Sequence, residues 1–569
     1  MKEKILNVLK SKLLFSVVLN LIIMVLCILV TSFSYENIRD FNNSILICRD
    51  HFYYSSSINY ILAVIIGTIQ YAVTDINSFV MIEIALSFFA FTSITYVFAD
   101  KFNFRKAFIF SMVVSIIFAL NHYSQISSTK TAALLLTGGF LLVLNAIRNK
   151  KYTLPCWLGV LEIAFGSFCN YTYFFVALGF GVAFFVGDLI VKKKYRLDFQ
   201  KIFWYFRPFL LMFILVAIVS VGLNQFSYSV NHATSEAVNY YDYSALQESI
   251  DTLPYPSYDE HAEEFAEVGI NNDSEYEMLK NGYYDSDRML NIPSLRLVSQ
   301  IQYEENNKTI LYSAGAVFSD MFAHFAELDE FMLAILVFIA ISVVFIIYHK
   351  NRFSFFPLFY AVAGLIASVV LRYLFDSADY RMYGIWVLII VLLLFSFNFD
   401  VTREKNAIPK LKIKNGYMVV SCVVLAAMLG GYFTIYAMNS SKGGKIPHNL
   451  ITEISRNPDC YYVMDTASES EFIKSTENYL HPLWGFRDGY LENLDSFGYF
   501  HNNEMLRKRN MSENIYEAVL SNRKIYVIDK NITFKKEKYF TLNYADESGT
   551  VVYQLVKELD DYKIYEVKI

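Results

Sequence analysis

Apolar residues in this chain fall into long runs separated by short charged stretches. The runs cover about 13–33, 77–98, 107–121, 132–147, 154–170, 174–191, 205–224, 331–348, 353–373, 381–399 and 417–438. Each approaches the ~20 residues a helix needs to cross a bilayer. The pattern predicts an α-helical polytopic membrane protein with about 11 transmembrane helices. A further apolar segment, INYILAVIIGTIQYAVT (58–74), carries Tyr60, Gly67, Tyr71 and Thr74 at helical spacing on one side. That pattern suits a helix lying in the membrane interface.

Two longer stretches have a different rhythm. Residues 225–330 are polar, contain Pro254 and Pro256, and show helical patches such as EYEMLKNGYY. Residues 439–569 alternate short apolar strands with helical segments. CYYVMD, KIYVID, EKYFTLNY, VVYQLVKEL and YKIYEVKI predict strands, and ESEFIKSTENYL and ENIYEAVLSNR predict helices. The expected layout is a membrane domain over 1–438, which includes a first outer loop with its interfacial helix (34–76) and an acidic outer insert (225–330). A small C-terminal α/β extracytoplasmic domain follows over 439–569.

Charge then sets the orientation. Lys and Arg cluster at the N-terminus, at 101–106, 148–151, 192–196, 350–352 and 403–414. With the N-terminus inside and the C-terminus outside, all these clusters face the cytoplasm, as the positive-inside tendency requires. Counting 58–74 as a crossing would put most of them outside. The insert holds twenty Asp and Glu against four Lys and Arg, so it reads either as a plain solvated lobe or as a surface that repels anionic polymers or attracts cations. The overall net charge of -5 gives no footing for nucleic acid. The six cysteines show no metal spacing, and no phosphate-binding glycine loop or nucleophile elbow occurs. Richness in Phe, Tyr, Ile, Asn and Lys suggests an AT-rich bacterial gene, hence a bacterial plasma membrane.

Chemistry is therefore expected on the outer face. The stretch SYENIRDFNNSILICRDHFYYSSS (34–57) follows the first apolar run and displays Glu36, Arg39, Asp40, Arg49, Asp50 and His51. Carboxylates held at that height can deprotonate a hydroxyl or hold a divalent ion. Lys130, Arg372 and Arg381 fall in other outer segments near the membrane, where they either pair with acids such as Asp376 and Asp379 or bind a lipid phosphate. Glu83 and Glu162 lie inside predicted spans, where ionisable groups face a cavity or a partner.

The layout resembles the GT-C superfamily of integral-membrane glycosyltransferases. The resemblance rests on the acidic first outer loop (Glu36, Asn37, Asp40), the Asp50–His51 pair before SSSINYILAVIIGTIQY, and the second helix opening INSFVMIEIALSFF. It rests further on LPYPSYDEHAEEF in the insert, the Arg372–Arg381 pair, and the C-terminal outer domain. It implies transfer of a sugar from a polyprenyl-phosphate carrier to a cell-envelope glycan or other acceptor at the outer face of the bilayer. It also implies that Glu36, with Asp40, Asp50 and His51 next, is catalytic or linked to a divalent cation. Arg372, Arg381 and Lys130 would then hold the donor phosphate. Two departures stand out: Asn37 follows Glu36 where many members carry a second acid, and Asp50 and His51 are adjacent rather than spaced. Competing readings are a polysaccharide polymerase or ligase acting on lipid-linked glycan, and a non-catalytic exporter or envelope scaffold.

Overall fold

The structure is a computed structural model. It describes residues 11–30, 34–191, 198–250, 253–285, 288, 290–305, 309–327, 330–348, 352–375, 379–397, 447–473, 483–498, 514–521, 524–530, 533–545 and 549–569. The predicted span 417–438 lies outside them. The chain divides into two compact units. One comprises Met1–Thr31, Glu83–Phe226 and Thr309–Ser440; the other comprises Ser32–Ile82, Ser227–Lys308 and Ser441–Ile569.

The first unit is a polytopic helical bundle. Every predicted span from 13–33 to 381–399 coincides with a helix, from Lys12–Val30 through Ser78–Lys101, Phe104–Ser124 and Ser128–Asn149 to Phe356–Phe375 and Asp379–Ser396. Among the described residues, six helices are long and apolar enough to cross a membrane, and shorter apolar helices accompany them. Ser128–Asn149 runs buried through the bundle. It packs closely on Leu154–Cys169 because glycines face each other: a Cβ on Gly139 would stand 2.6 Å from the Gly159 carbonyl oxygen. Small residues at such crossings let membrane helices approach and gain dispersion contacts. Side chains such as Leu21, Leu29, Leu154 and Ile218 stay exposed, as expected of faces turned to lipid.

Contacts at the helix ends orient the bundle. Lys12 Nζ binds Asp100 at 2.6 Å, and Asp100 also accepts from Asn145 at 3.0 Å. Lys101 Nζ binds Asn149 at 2.7 Å, and the Arg148 guanidinium lies over the Phe395 ring at 5.6 Å. Lys12, Lys101 and Arg148 thus gather at one end. The opposite end receives Val30, the start of Ser128–Asn149, and the Arg372 end of Phe356–Phe375.

One helix departs from expectation. Residues 309–327, placed by sequence in the outer insert, form the helix Ile310–Glu327 and belong to the helical unit. Asp320 and Glu327 interrupt an otherwise apolar sequence and hide its helical stripe from a hydropathy reading.

The second unit is built on a five-stranded sheet. Its strands are β1 (Tyr461–Met464), β2 (Leu494–Ser496), β3 (Ile525–Asp529), β4 (Val552–Leu559) and β5 (Tyr562–Lys568), in the order β2-β1-β3-β5-β4. β1 runs parallel to β2 and β3, while β5 is antiparallel to β3 and β4. The β4–β5 hairpin turns at Asp560 and Asp561, both with positive φ (51° and 69°), the geometry of the tight turns that match strand twist. β2 was not foreseen, and EKYFTLNY, expected as a strand, lies in the helix Phe534–Tyr544. Thr533 caps that helix by accepting from the Lys536 amide, and Tyr539 and Phe540 bury together on one face. Tyr, Phe and Thr favour strands in general; here the cap and the packing outweigh that preference.

Residues of the insert and of the first outer segment share this unit's core. Leu46 and Phe52 pack in one cluster with Phe265, Leu279 and Tyr283, and with Phe497, Tyr516 and Phe540 of the C-terminal region. Buried polar contacts fix the register. The Asp285 carboxylate accepts from the hydroxyls of Tyr539 (2.9 Å) and Tyr544 and from Asn514 Nδ2 (3.1 Å). Lys536 Nζ bridges Asp465 (2.8 Å), just after β1, and Asp529 (2.6 Å), the last residue of β3, and Tyr283 donates to Asp465.

Burial opposes the charge on Lys536, but Asp465 and Asp529 outweigh it and raise its pKa above the ordinary value of 10.5. A raised pKa means the stabilisation is intact below the unfolded-state value and fades as pH climbs through the folded one. Thermal unfolding of the full chain should therefore show no loss from this group below its ordinary value of 10.5 and a loss as pH climbs beyond it. An unchanged unfolding temperature at the higher pH would exclude this account.

Candidate functional site

The first outer segment folds around the helix Ile38–Cys48. Asn37 caps its N-terminus: its side-chain oxygen accepts from the Asp40 amide at 2.8 Å, and its Nδ2 donates to Asp40 Oδ2 at 2.9 Å. Such reciprocal capping satisfies amides that a helix start leaves open. Asp40 is thereby buried and engaged in the cap. Glu36 stands half-buried just ahead of the cap.

The end of this helix is tied to the C-terminal sheet. Arg49 Nε donates to Asp50 Oδ1 at 3.0 Å and Nη2 to Asp50 Oδ2 at 3.2 Å. Nη1 donates to the carbonyl oxygens of Leu491 (3.0 Å) and Leu494 (2.5 Å), and Nη2 lies 3.7 Å from Asp495 of β2. The Arg49 side chain is 5% exposed and Asp495 is fully buried. Burial works against the guanidinium charge; Asp50 and Asp495 more than offset this and push its pKa above the ordinary arginine value. His51 follows with φ 54° and stacks on Tyr71 of the interfacial helix at 4.2 Å. That helix, Tyr60–Ala72, buries Leu62, Ala63, Ile66, Gly67 and Gln70, and Gly67 lies against the Tyr53 ring. Its less apolar side is therefore split, with Gly67 inward and Tyr71 outward.

The proposed phosphate binders lie in the helical unit. Lys130, near the start of Ser128–Asn149, is buried; its ammonium donates to Asn121 Oδ1 at 2.6 Å and Gln125 Oε1 at 3.2 Å. Oxygen dipoles rather than a carboxylate hold it in these two bonds. Arg372 ends the helix Phe356–Phe375 and approaches Asp320 at 3.9 Å, an acid that sequence spacing did not connect with it. Residues 376–378 lie outside the described residues. Arg381 stands in the helix Asp379–Ser396, and its side chain also falls outside them. Lys130 and Arg372 share the end of the bundle opposite Lys12, Lys101 and Arg148. Glu83 is buried near that same end of Ser78–Lys101, and Ser87 lies 3.5 Å from Thr131 one turn away. Glu162, by contrast, accepts from Ser93 and packs against Gly138.

A divalent cation needs several ligand atoms close together. Among the described residues, Glu260, His261 and Glu305 of the insert form such a group, with ligand atoms within 4.8 Å of one another. His261 bonds Glu305 at 2.7 Å and Glu264 at 3.2 Å, and these two carboxylates raise its pKa. Among the described residues no such group includes Glu36, Asp40, Asp50 or His51.

The fold is thus that of a multi-pass membrane protein carrying a mixed α/β unit. No protein-family model and no curated protein matches the sequence. Among solved structures, the chain is similar to ArnT from Cupriavidus metallidurans. It has 8% identity over 97% of both chains, with TM-scores of 0.36 to the form bound to undecaprenyl phosphate and 0.35 to the apo form.

Proposed function

We propose that this protein is a membrane glycosyltransferase that moves a sugar from a polyprenyl-phosphate carrier to a hydroxyl of a cell-envelope acceptor. The observation that carries the reading is the segregation of charge along the bundle. Lys130, Arg372 and Glu83 share one end of it, and cations there suit a lipid phosphate. Glu36, the acid that the resemblance puts first, takes the role of base, with Asp40 and Asp50 next.

In this reaction the acceptor oxygen attacks the anomeric carbon and its proton passes to Glu36. The carbon–oxygen bond to the carrier breaks, and the phosphate departs with the bonding electrons, stabilised by Lys130, Arg372 and Arg381. No step is routed through a divalent cation. The ArnT structure bound to undecaprenyl phosphate agrees with a carrier of this class.

The test supplies the full-length protein in nanodiscs with a panel of polyprenyl-phosphate sugars. Sugar should leave the carrier, and polyprenyl phosphate accumulate, only when an acceptor glycan is present. If diphosphate-linked oligosaccharides were consumed instead, the chain would move to the polymerase or ligase class.

A further inference from the structure

We propose that the loop Leu483–Tyr490 is a membrane anchor, in which Trp484 and Arg487 engage phospholipid head groups beside the start of the helix Ser78–Lys101. That helix has 24 residues, about 36 Å at 1.5 Å per residue. A hydrocarbon core of ~30 Å is shorter, so the helix is long enough for its polar start at Asn77 and Ser78 to reach head-group height. Residues 75–77 lead directly into it, and two backbone bonds fasten the loop to them. The Asn77 amide donates to the Leu483 carbonyl oxygen at 2.9 Å, and the Arg487 amide donates to the Asp75 carbonyl oxygen at 3.1 Å.

The loop is built with two faces. Phe486 and Tyr490 are buried, and Gly485 packs so tightly that a Cβ would meet Leu491 at 2.4 Å. On the other face the Arg487 guanidinium stacks over the Trp484 ring at 4.8 Å, with its side chain 57% exposed. Its ion pair with Asp488 (3.4 Å) is itself exposed, and such pairs contribute little and yield readily. Tyr71, 66% exposed, adds a second aromatic four residues before Asp75.

Tryptophan and tyrosine concentrate at membrane–water interfaces, and guanidinium binds phosphate through paired hydrogen bonds. Asp488 and the exposed Asp75 supply acceptors for an ammonium group. The chemistry therefore fits a zwitterionic head group, phosphate plus ammonium, and does not require net-anionic lipid.

The experiment places the full-length protein in phosphatidylethanolamine-containing nanodiscs whose lipids carry bromine either near the head group or deep in the acyl chain. The Trp484 signal is the emission difference between wild type and Trp484→Phe. Head-group-proximal bromine should quench it about twofold more than deep bromine, and Arg487→Glu should reduce that quenching. If the Arg487 variant does not fold, the wild-type against Trp484→Phe comparison decides alone. Quenching by aqueous iodide with no response to brominated lipid would overturn the proposal. So would an equal emission shift caused by inorganic phosphate in detergent without phospholipid, which marks a soluble-anion site. Neither readout involves sugar transfer, so the outcome is independent of the proposed activity.

Discussion

Replacing Arg49 with leucine should detach the first outer segment from the C-terminal sheet. The substitution leaves Asp495, fully buried, and Asp50, with its side chain 9% exposed, without their guanidinium. It also strips two carbonyl oxygens, those of Leu491 and Leu494, of their donor. Breaking a buried ion pair by removing one partner costs roughly 3–5 kcal/mol, because the remaining charge stays buried. Amide hydrogen exchange in the full chain reads this directly. Protection across Ile38–Cys48 and Leu494–Ser496 should fall by about 10²–10⁴-fold. Arg49→Lys keeps the charge but loses the forked geometry and should cost less. Adding Asp495→Asn to the leucine variant should recover part of the loss, since one orphaned charge disappears. Unchanged protection in Arg49→Leu would mean the segment is held by its apolar contacts alone.

Glu36→Gln should leave that exchange pattern intact and remove activity. The change is nearly isosteric and takes away only the proton acceptor. General-base contributions run to about 10²–10⁴-fold, so the rate of sugar transfer should drop by that much while expression and thermal unfolding stay at wild-type levels. Asp40→Asn separates the roles. It leaves the Asn37 cap's bond to the residue-40 amide but removes a negative charge from the first turn of the helix, worth about 0.3–1 kcal/mol, and should lower stability more than turnover. If Glu36→Gln turned over at the wild-type rate, the base would pass to Asp40 or Asp50. Full rates in all three variants would end the proposal.

Much of the architecture could be read from the chain because its cause is local. A run such as LLFSVVLNLIIMVLCILV specifies a helix through its own length and apolarity, and Lys12–Val30 follows. KIYVID and YKIYEVKI alternate as strands and form β3 and β5. The failures occur where distant residues decide. EKYFTLNY becomes a helix because Tyr539 and Tyr544 reach Asp285, more than two hundred positions away. Ile310–Glu327 escaped notice because Asp320 is balanced by Arg372, which no local window contains.

The candidate site divides in the same way. The capping role of Asp40 was legible in principle, since Asn37 stands three residues ahead of it. The anchoring of Arg49, the partner of Asp50, was not, because Leu491, Leu494 and Asp495 supply its other contacts. Nor did hydropathy reveal that the surroundings of Lys130 are built from Asn121 and Gln125.

The carboxyl ends of β1 and β3 meet where strand order reverses, the place where open α/β sheets ordinarily receive small ligands. Here Lys536 and Tyr283 occupy it, and Tyr283 comes from a segment made more than a hundred residues before β1. At ~5–20 residues per second, a ribosome needs roughly ten seconds or more to supply the strands that Tyr283 must cover. For that interval the aromatic faces of the earlier segments stay bare. Folding of this unit thus includes a waiting period in which its earlier aromatic faces lack their covering strands.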